Sequence, residues 1–326
     1  MLVLAYPETI VTVADEWYSP YMRYIGIGKK NYVRAGHAAL VLIEKRTGLL
    51  EYHDFGRYIT AIPNGRVRGK DTDHELDFSL QADIQNDKIN NLKEILEFLS
   101  TNPKLTHGEG KLIASVCQAI DYDKARAHIT KMQQRGFIRY AAFIKEACNC
   151  ARFVTDALIA SVTEDAIRNS LIRSYNFTPS TYGNVIKADT ENYVYEVTEE
   201  GMISAYTSKA WKDNFKYFLD TLKTHQPSFK GTLEPLHNDK ISDHAQWLDG
   251  IAAGAWFELY NTPESSVYRF RRISPYGIID CDRLYTVEDN SFKYHHNYTF
   301  VHYSNCLFFH VEQKDRTYRF DLLEDE

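Results

Sequence analysis

With 326 residues, 44% apolar and 25% charged, the chain has an ordinary globular composition and length enough for two domains, which excludes a disordered or fibrous protein. A net charge of −6 argues against a broad nucleic-acid surface, and no apolar run reaches the roughly 18 residues needed to span a membrane. Five cysteines (Cys117, Cys148, Cys150, Cys281 and Cys306), odd in number and sparse, argue against a secreted disulfide framework. Cys148-x-Cys150 is too close for a zinc knuckle, and the sequence calls for no metal and no cofactor. The first eight residues lack a basic segment leading into an apolar core, so a signal peptide is not expected and a reducing cytoplasm is the expected location.

In chain order, Leu2–Val13 reads as a strand broken by a turn at Pro7, and Asp15–Arg34 as a Tyr- and Gly-rich loop. Gly36-His37-Ala38-Ala39-Leu40-Val41-Leu42-Ile43 is a nearly continuous apolar strand with a histidine at its mouth. Lys45-Arg46-Thr47-Gly48 turns it into a returning strand, Leu49–Tyr58. The charged stretch Gly65–Glu75 reads as a solvated turn. Helices are expected from Asn86 to Asn102, over Gly110–Ile120, Asp121–Arg135 and Phe137–Glu146, and from Cys150 to Ser161, with Thr163-Glu164-Asp165 opening another. Tyr193–Val197 and Met202–Tyr206 read as short strands. Ala210–Leu222 reads as a helix whose Trp211, Phe215, Phe218 and Leu222 face a core.

The segment 226–240 has the composition of a linker between a domain at 1–225 and a smaller one at 241–326. That second domain alternates aromatic and polar residues over Trp256–Tyr260, Ser266–Arg272, Tyr276–Cys281, Phe292–His295, Tyr298–Tyr303, Cys306–Gln313 and Tyr318–Leu322. It reads as a small antiparallel sheet, barrel or sandwich. Its His295, His296, His302 and His310 lack the cysteine or carboxylate pattern of a zinc site.

Two stretches carry chemistry. Val154 and Leu158 recur at helical spacing after Cys150, so a helix starting near Asn149 puts the cysteine in its first turn. There unpaired N–H groups and the positive dipole end favour a thiolate. His37, at the mouth of its strand, is a candidate base for that nucleophile. The residue that orients His37 depends on hairpin register. A four-residue loop pairing Glu44 with Leu49 sets His37 opposite Gly56 and brings Asp54 diagonally onto its face. A three-residue loop sets it opposite Arg57 and brings His53 there. An aspartate stabilises an imidazolium more strongly than a second histidine. Asn149, beside the cysteine, and Arg57 and Tyr58, at the far end of the returning strand, are the substrate-contacting candidates.

Gly36-His37-Ala38-Ala39 with Asn149-Cys150-Ala151-Arg152-Phe153-Val154 resembles the circularly permuted branch of the NlpC/P60 papain-like proteins, in which the histidine strand precedes the nucleophile helix. Asn149-Cys150-x-x-Phe153-Val154 is similar to the nucleophile box of the lecithin:retinol acyltransferase-like enzymes. More loosely, the whole chain resembles a family of bacterial proteins. The resemblance implies an α+β permuted papain-like domain of helices on an antiparallel sheet, followed by the small all-β domain. It also implies Cys150 as nucleophile and His37 as base in cleavage or acyl transfer at a peptide, amide or ester bond. The acyltransferases' C-terminal membrane helix is missing from this sequence. Three readings follow: a thiol hydrolase or acyl transferase; a non-catalytic scaffold that holds a partner through its aromatic β domain; and a toxin-like effector acting on an amide of a host or competitor.

Overall fold

The computed structural model describes residues 1–22, 24, 26–29, 31–223 and 239–323. Most of the expected linker, at 226–238, lies outside the described residues. Up to Ala205 the chain builds an eight-stranded antiparallel sheet. Its strands stand in the order Ile138–Arg139, Asn64–Arg68, Leu50–Gly56, His37–Ile43, Leu2–Tyr6, Leu112–Val116, Tyr195–Val197 and Ile203–Ala205. The central strands are apolar without alternation because both faces are covered. Val3, Ala5, Ala38, Leu40 and Leu42 pack under helices Tyr122–Gln134, Cys150–Ser161 and Thr181–Ala188. Leu2, Leu4, Ala39, Val41 and Ile43 pack under helix Leu92–Thr101.

A second, seven-stranded antiparallel sheet runs Gln246–Leu248, Ala255–Asn261, Val267–Ile273, Ile279–Val287, Arg316–Leu322, Phe308–Gln313 and Thr299–Val301. It closes nearly into a barrel: the Gln246 side chain donates to the Tyr298 carbonyl at 3.0 Å and accepts from the Phe300 N–H at 3.0 Å, joining first strand to last. Phe257, Phe270, Phe300, Phe309 and Phe320 fill its inside. The molecule is therefore a mixed α+β protein with a sheet-rich N-terminal part and a near-barrel, all-β C-terminal part. Among the described residues no helix is long and apolar enough to cross a membrane.

Several elements differ from the sequence reading. The helix expected over Gly110–Ile120 is the strand Leu112–Val116, all five residues buried, with a hydrogen-bonded neighbour on each side. In place of a helix over Phe137–Glu146 there is the two-residue strand Ile138–Arg139 followed by irregular chain. Phe292–His295 is turn, not strand. The helix near Trp211 is Ala210–Phe218, and Trp211, Phe215 and Phe218 lie on its exposed surface rather than in a core. The largest departure is at Gly65–Glu75. This stretch is no solvated turn, because strand Asn64–Arg68 carries Arg66 and Arg68 into the interior, 2% and 1% exposed. Arg66 forms a fork with both Asp73 oxygens, at 2.6 and 2.7 Å, so the buried charge is matched locally.

Candidate active site

The hairpin adopts the register in which Glu44 faces Leu49: the Glu44 N–H donates to the Leu49 carbonyl, and Ala39 stands opposite Asp54. His37 and Asp54 then share a face, and His37 Nε2 lies 3.0 Å from Asp54 Oδ2. Gly36, at φ +74°, lets the chain turn into the strand just before His37. A Cβ there would meet the Pro7 Cα at 3.1 Å as well as adopt a disfavoured backbone. His53 points elsewhere: its Nδ1 lies 3.2 Å from the Arg68 carbonyl oxygen, and burial lowers its pKa.

Asp54 is fully buried, and burial alone would raise its pKa. Arg68 overrides this, donating through Nε to Oδ1 at 2.9 Å and through Nη2 to Oδ2 at 2.7 Å. Together with the His37 hydrogen bond this holds the Asp54 carboxyl well below the usual carboxylate range. The Tyr58 hydroxyl adds a third donor at 3.2 Å. It reaches Asp54 because residue 56 is glycine: a Cβ on Gly56 would lie 2.3 Å from the Tyr58 ring.

Asn149 is the N-cap of helix Cys150–Ser161. Its side chain accepts from the Arg152 N–H at 2.9 Å and donates to the Ala141 carbonyl at 3.2 Å. Cys150 thus occupies the first helical position, where the backbone N–H groups have no helical partner. Its thiol lies near enough to His37 and Tyr140 to raise the pKa of both. With Nε2 given to Asp54, Nδ1 is the His37 nitrogen left for the thiol. Burial alone would lower the His37 pKa; the Asp54 hydrogen bond and the neighbouring Cys150 outweigh it and raise it to about 9. Cys148, two residues away, is buried against the Asn149 carbonyl, and burial pushes its thiol far up.

Two participants were not legible in the sequence. Arg68 sat in the stretch read as solvated, although Arg66-Val67-Arg68 has the alternation of a strand. Tyr140 sat in an expected helix, and nothing local signals it. Burial and the adjoining Cys150 raise its phenol well above the ordinary value, so it stays a neutral donor. Its ring lies 4.4 Å beneath the Arg57 guanidinium. Arg57 also donates to the Thr12 and Val13 carbonyls, so it braces the cleft wall.

His37 and Cys150 open onto different hollows. One of about 430 Å³ is lined by His37, Gly56, Arg57, Tyr58 and His107, with Ile251, Ala252 and Tyr276 contributed from beyond residue 239. Burial and Arg68 lower the His107 pKa to about 3, so this wall presents a neutral imidazole. The other, about 370 Å³ and mostly apolar, is lined by Cys150, Asn149 and Tyr140 with Met22, Phe177 and the exposed faces of Phe215 and Phe218. Among the described residues, no group of three His, Cys, Asp or Glu side chains at metal-binding distance includes Cys150, His37 or Asp54.

Comparison with known proteins gives two family matches. Residues 245–323 match the DUF6695 C-terminal domain. The chain is also similar to a crystal structure of the type VI secretion system effector TseH, at 17% identity and a TM-score of 0.44, over 63% of this chain and 96% of that one. No curated protein matches. Residues 1–167, which contain His37, Asp54, Arg68, Tyr140 and Cys150, match the model of the type VI secretion system effector TseH-like family, and the chain belongs to that family.

Proposed function

We propose that this chain is a thiol hydrolase on a circularly permuted papain-like domain, cleaving an amide, peptide or ester bond through an acyl-thioester at Cys150. The observation that carries the reading is the buried hydrogen-bonded run His37–Asp54–Arg68, which ends in an ion pair and lies beside Cys150 at a helix N-terminus. In this reading the Cys150 thiolate attacks the carbonyl carbon. The oxyanion that forms accepts from the Cys150 backbone N–H and the Tyr140 hydroxyl. The His37 imidazolium gives its proton to the departing amine or alkoxide as the C–N or C–O bond breaks. Neutral His37 then takes a proton from water as that water attacks the thioester. Acid is released, and the thiolate–imidazolium pair is restored. Asp54 keeps the imidazole oriented and its charge favourable without taking the proton itself.

The apolar hollow beside Cys150 supports an acyl part that is itself apolar, and the hollow beside His37 would receive the leaving group. Membership of an effector family favours a bond in a recipient cell as the target. The alternative, a scaffold that no longer turns over, is separated from this reading by a covalent intermediate. Incubation with short-chain p-nitrophenyl esters, followed by intact mass, is expected to show one acyl group per chain. That adduct should map to Cys150 and be absent from Cys150→Ala. Ester turnover unchanged in Cys150→Ala would remove the enzyme reading.

A further inference from the structure

A second set of reactive side chains converges where the near-barrel meets the N-terminal sheet. Cys281 lies on strand Ile279–Val287 and Cys306 in the turn before strand Phe308–Gln313; both thiols are buried and lie within 4.8 Å of each other. His74, from the short helical turn His74–Leu76, completes the group: one ligand atom from each of the three lies within 4.8 Å of the others. None of the three takes part in the chemistry proposed at Cys150. We propose that His74, Cys281 and Cys306 bind a divalent cation of the zinc type, with water as the fourth donor.

The donor set argues for the class of ion. Two sulfurs and an imidazole suit zinc and the softer transition ions, and are poor ligands for magnesium or calcium. Tetrahedral zinc places such atoms roughly 3.4–3.8 Å apart, so atoms already within 4.8 Å close on it by small side-chain rotations. Charge balance argues for it as well. Around the thiols, Arg66, Arg68 and Arg272 are paired with Asp73, Glu75 and Asp280. Binding one divalent ion releases one proton from each thiol, so two positive charges enter and two leave, and the buried network keeps its net charge.

Backbone contacts already hold the parts together. The Cys306 N–H donates to the Thr72 carbonyl at 3.0 Å, and the Asp280 carboxylate accepts from the Glu75 N–H. The ion would therefore be a structural staple between the helical turn and the near-barrel. Glu75 accepts from Arg68 at 3.1 Å, and Arg68 holds Asp54, so the staple would also steady the far end of the His37 chain of contacts.

The test is cobalt(II) titration of the full-length reduced protein after chelator treatment, with zinc competition. One equivalent should bind, with thiolate-to-cobalt charge-transfer absorption and tetrahedral d–d bands, and zinc should bleach both. Cys281→Ser and Cys306→Ser should each abolish the charge-transfer band. His74→Ala should weaken binding about tenfold or more, and Cys117→Ser should change nothing. A measurement on wild type alone keeps the test open if a variant fails to fold: one equivalent of zinc should shield two of the five thiols from a disulfide reagent. The proposal is overturned by cobalt binding without a charge-transfer band, by a band that survives Cys281→Ser, by reactivity of Cys281 and Cys306 that zinc leaves unchanged, or by Cys281 and Cys306 joining as a disulfide in preference to binding the metal.

Discussion

Asp54 shows how a buried carboxylate is kept ionised so that a histidine can be kept charged. Arg68 supplies two hydrogen bonds to it, and removing that arginine strands the carboxylate in the interior. Arg68→Leu should therefore cost about 3–5 kcal/mol in urea denaturation, whereas Arg68→Leu with Asp54→Leu should recover most of it. An equal loss in the single and the double variant would show that the arginine acts by packing and not by charge. His37 gives a pH signature whose sign is fixed. It holds its proton more tightly folded, at about 9, than unfolded, at about 6.5. Its contribution is whole below pH ~6.5 and is lost as pH rises through ~9. Denaturation midpoints of wild type and His37→Gln should differ at about pH 6, on the order of 1–3 kcal/mol, and converge by about pH 9.5. A separation that does not change with pH would contradict the charged pair.

At the scale of elements, the site depends on one cap and one glycine. Asn149→Ala removes the acceptor for the Arg152 N–H and the donor to the Ala141 carbonyl. It should cost about 1 kcal/mol and loosen the turn that presents Cys150, and thermal denaturation reads the first effect. Gly56→Ala drives a methyl into the Tyr58 ring. Tyr58 should leave Asp54, whose carboxylate then keeps more of its charge for the imidazolium, and this would appear as a raised His37 pKa in an NMR titration of the histidine ring; an unmoved His37 would show that the Tyr58 hydrogen bond is dispensable.

The elements bearing Cys150 and His37 were legible in sequence because each is stated locally. One is an apolar run closed by a turn, and the other an asparagine followed by apolar residues at helical spacing. Strand Leu112–Val116 was not legible, because Leu112, Ile113 and Val116 fit helical spacing equally well and its partners are distant: Leu2–Tyr6 and Tyr195–Val197. The burial of Arg66 and Arg68 was hidden for the same reason. A charged residue reads as solvated until its partner is known, and the Arg68–Asp54 pair is made only when two strands meet. Phe215 and Phe218 misled in the opposite sense: their helical stripe lines an open hollow instead of a core.

At the scale of the whole molecule, the two sheets meet along the segment that follows Gly56. The Ile59 N–H donates to the Ala253 carbonyl at 2.7 Å, the Ala252 N–H donates to the Arg57 carbonyl at 3.0 Å, and the Ile59 side chain belongs to the near-barrel's core. The same segment carries Arg57 and Tyr58, so the near-barrel helps hold the wall of the His37 hollow. Ile59→Ala should cost about 2–4 kcal/mol and increase hydrogen exchange at both ends of this seam, at 50–59 and at 250–260 together. Faster exchange at only one end would mean that the sheets do not support each other. The charge at Cys150 is tested most directly by per-cysteine iodoacetamide labelling read by mass spectrometry at pH ~6.5. Cys150 is predicted to label at least tenfold faster than Cys148, Cys117, Cys281 or Cys306, and to lose that advantage in His37→Ala. If Cys150 labels at the rate of the other four, or if His37→Ala labels as wild type does, the thiolate–imidazolium account is wrong.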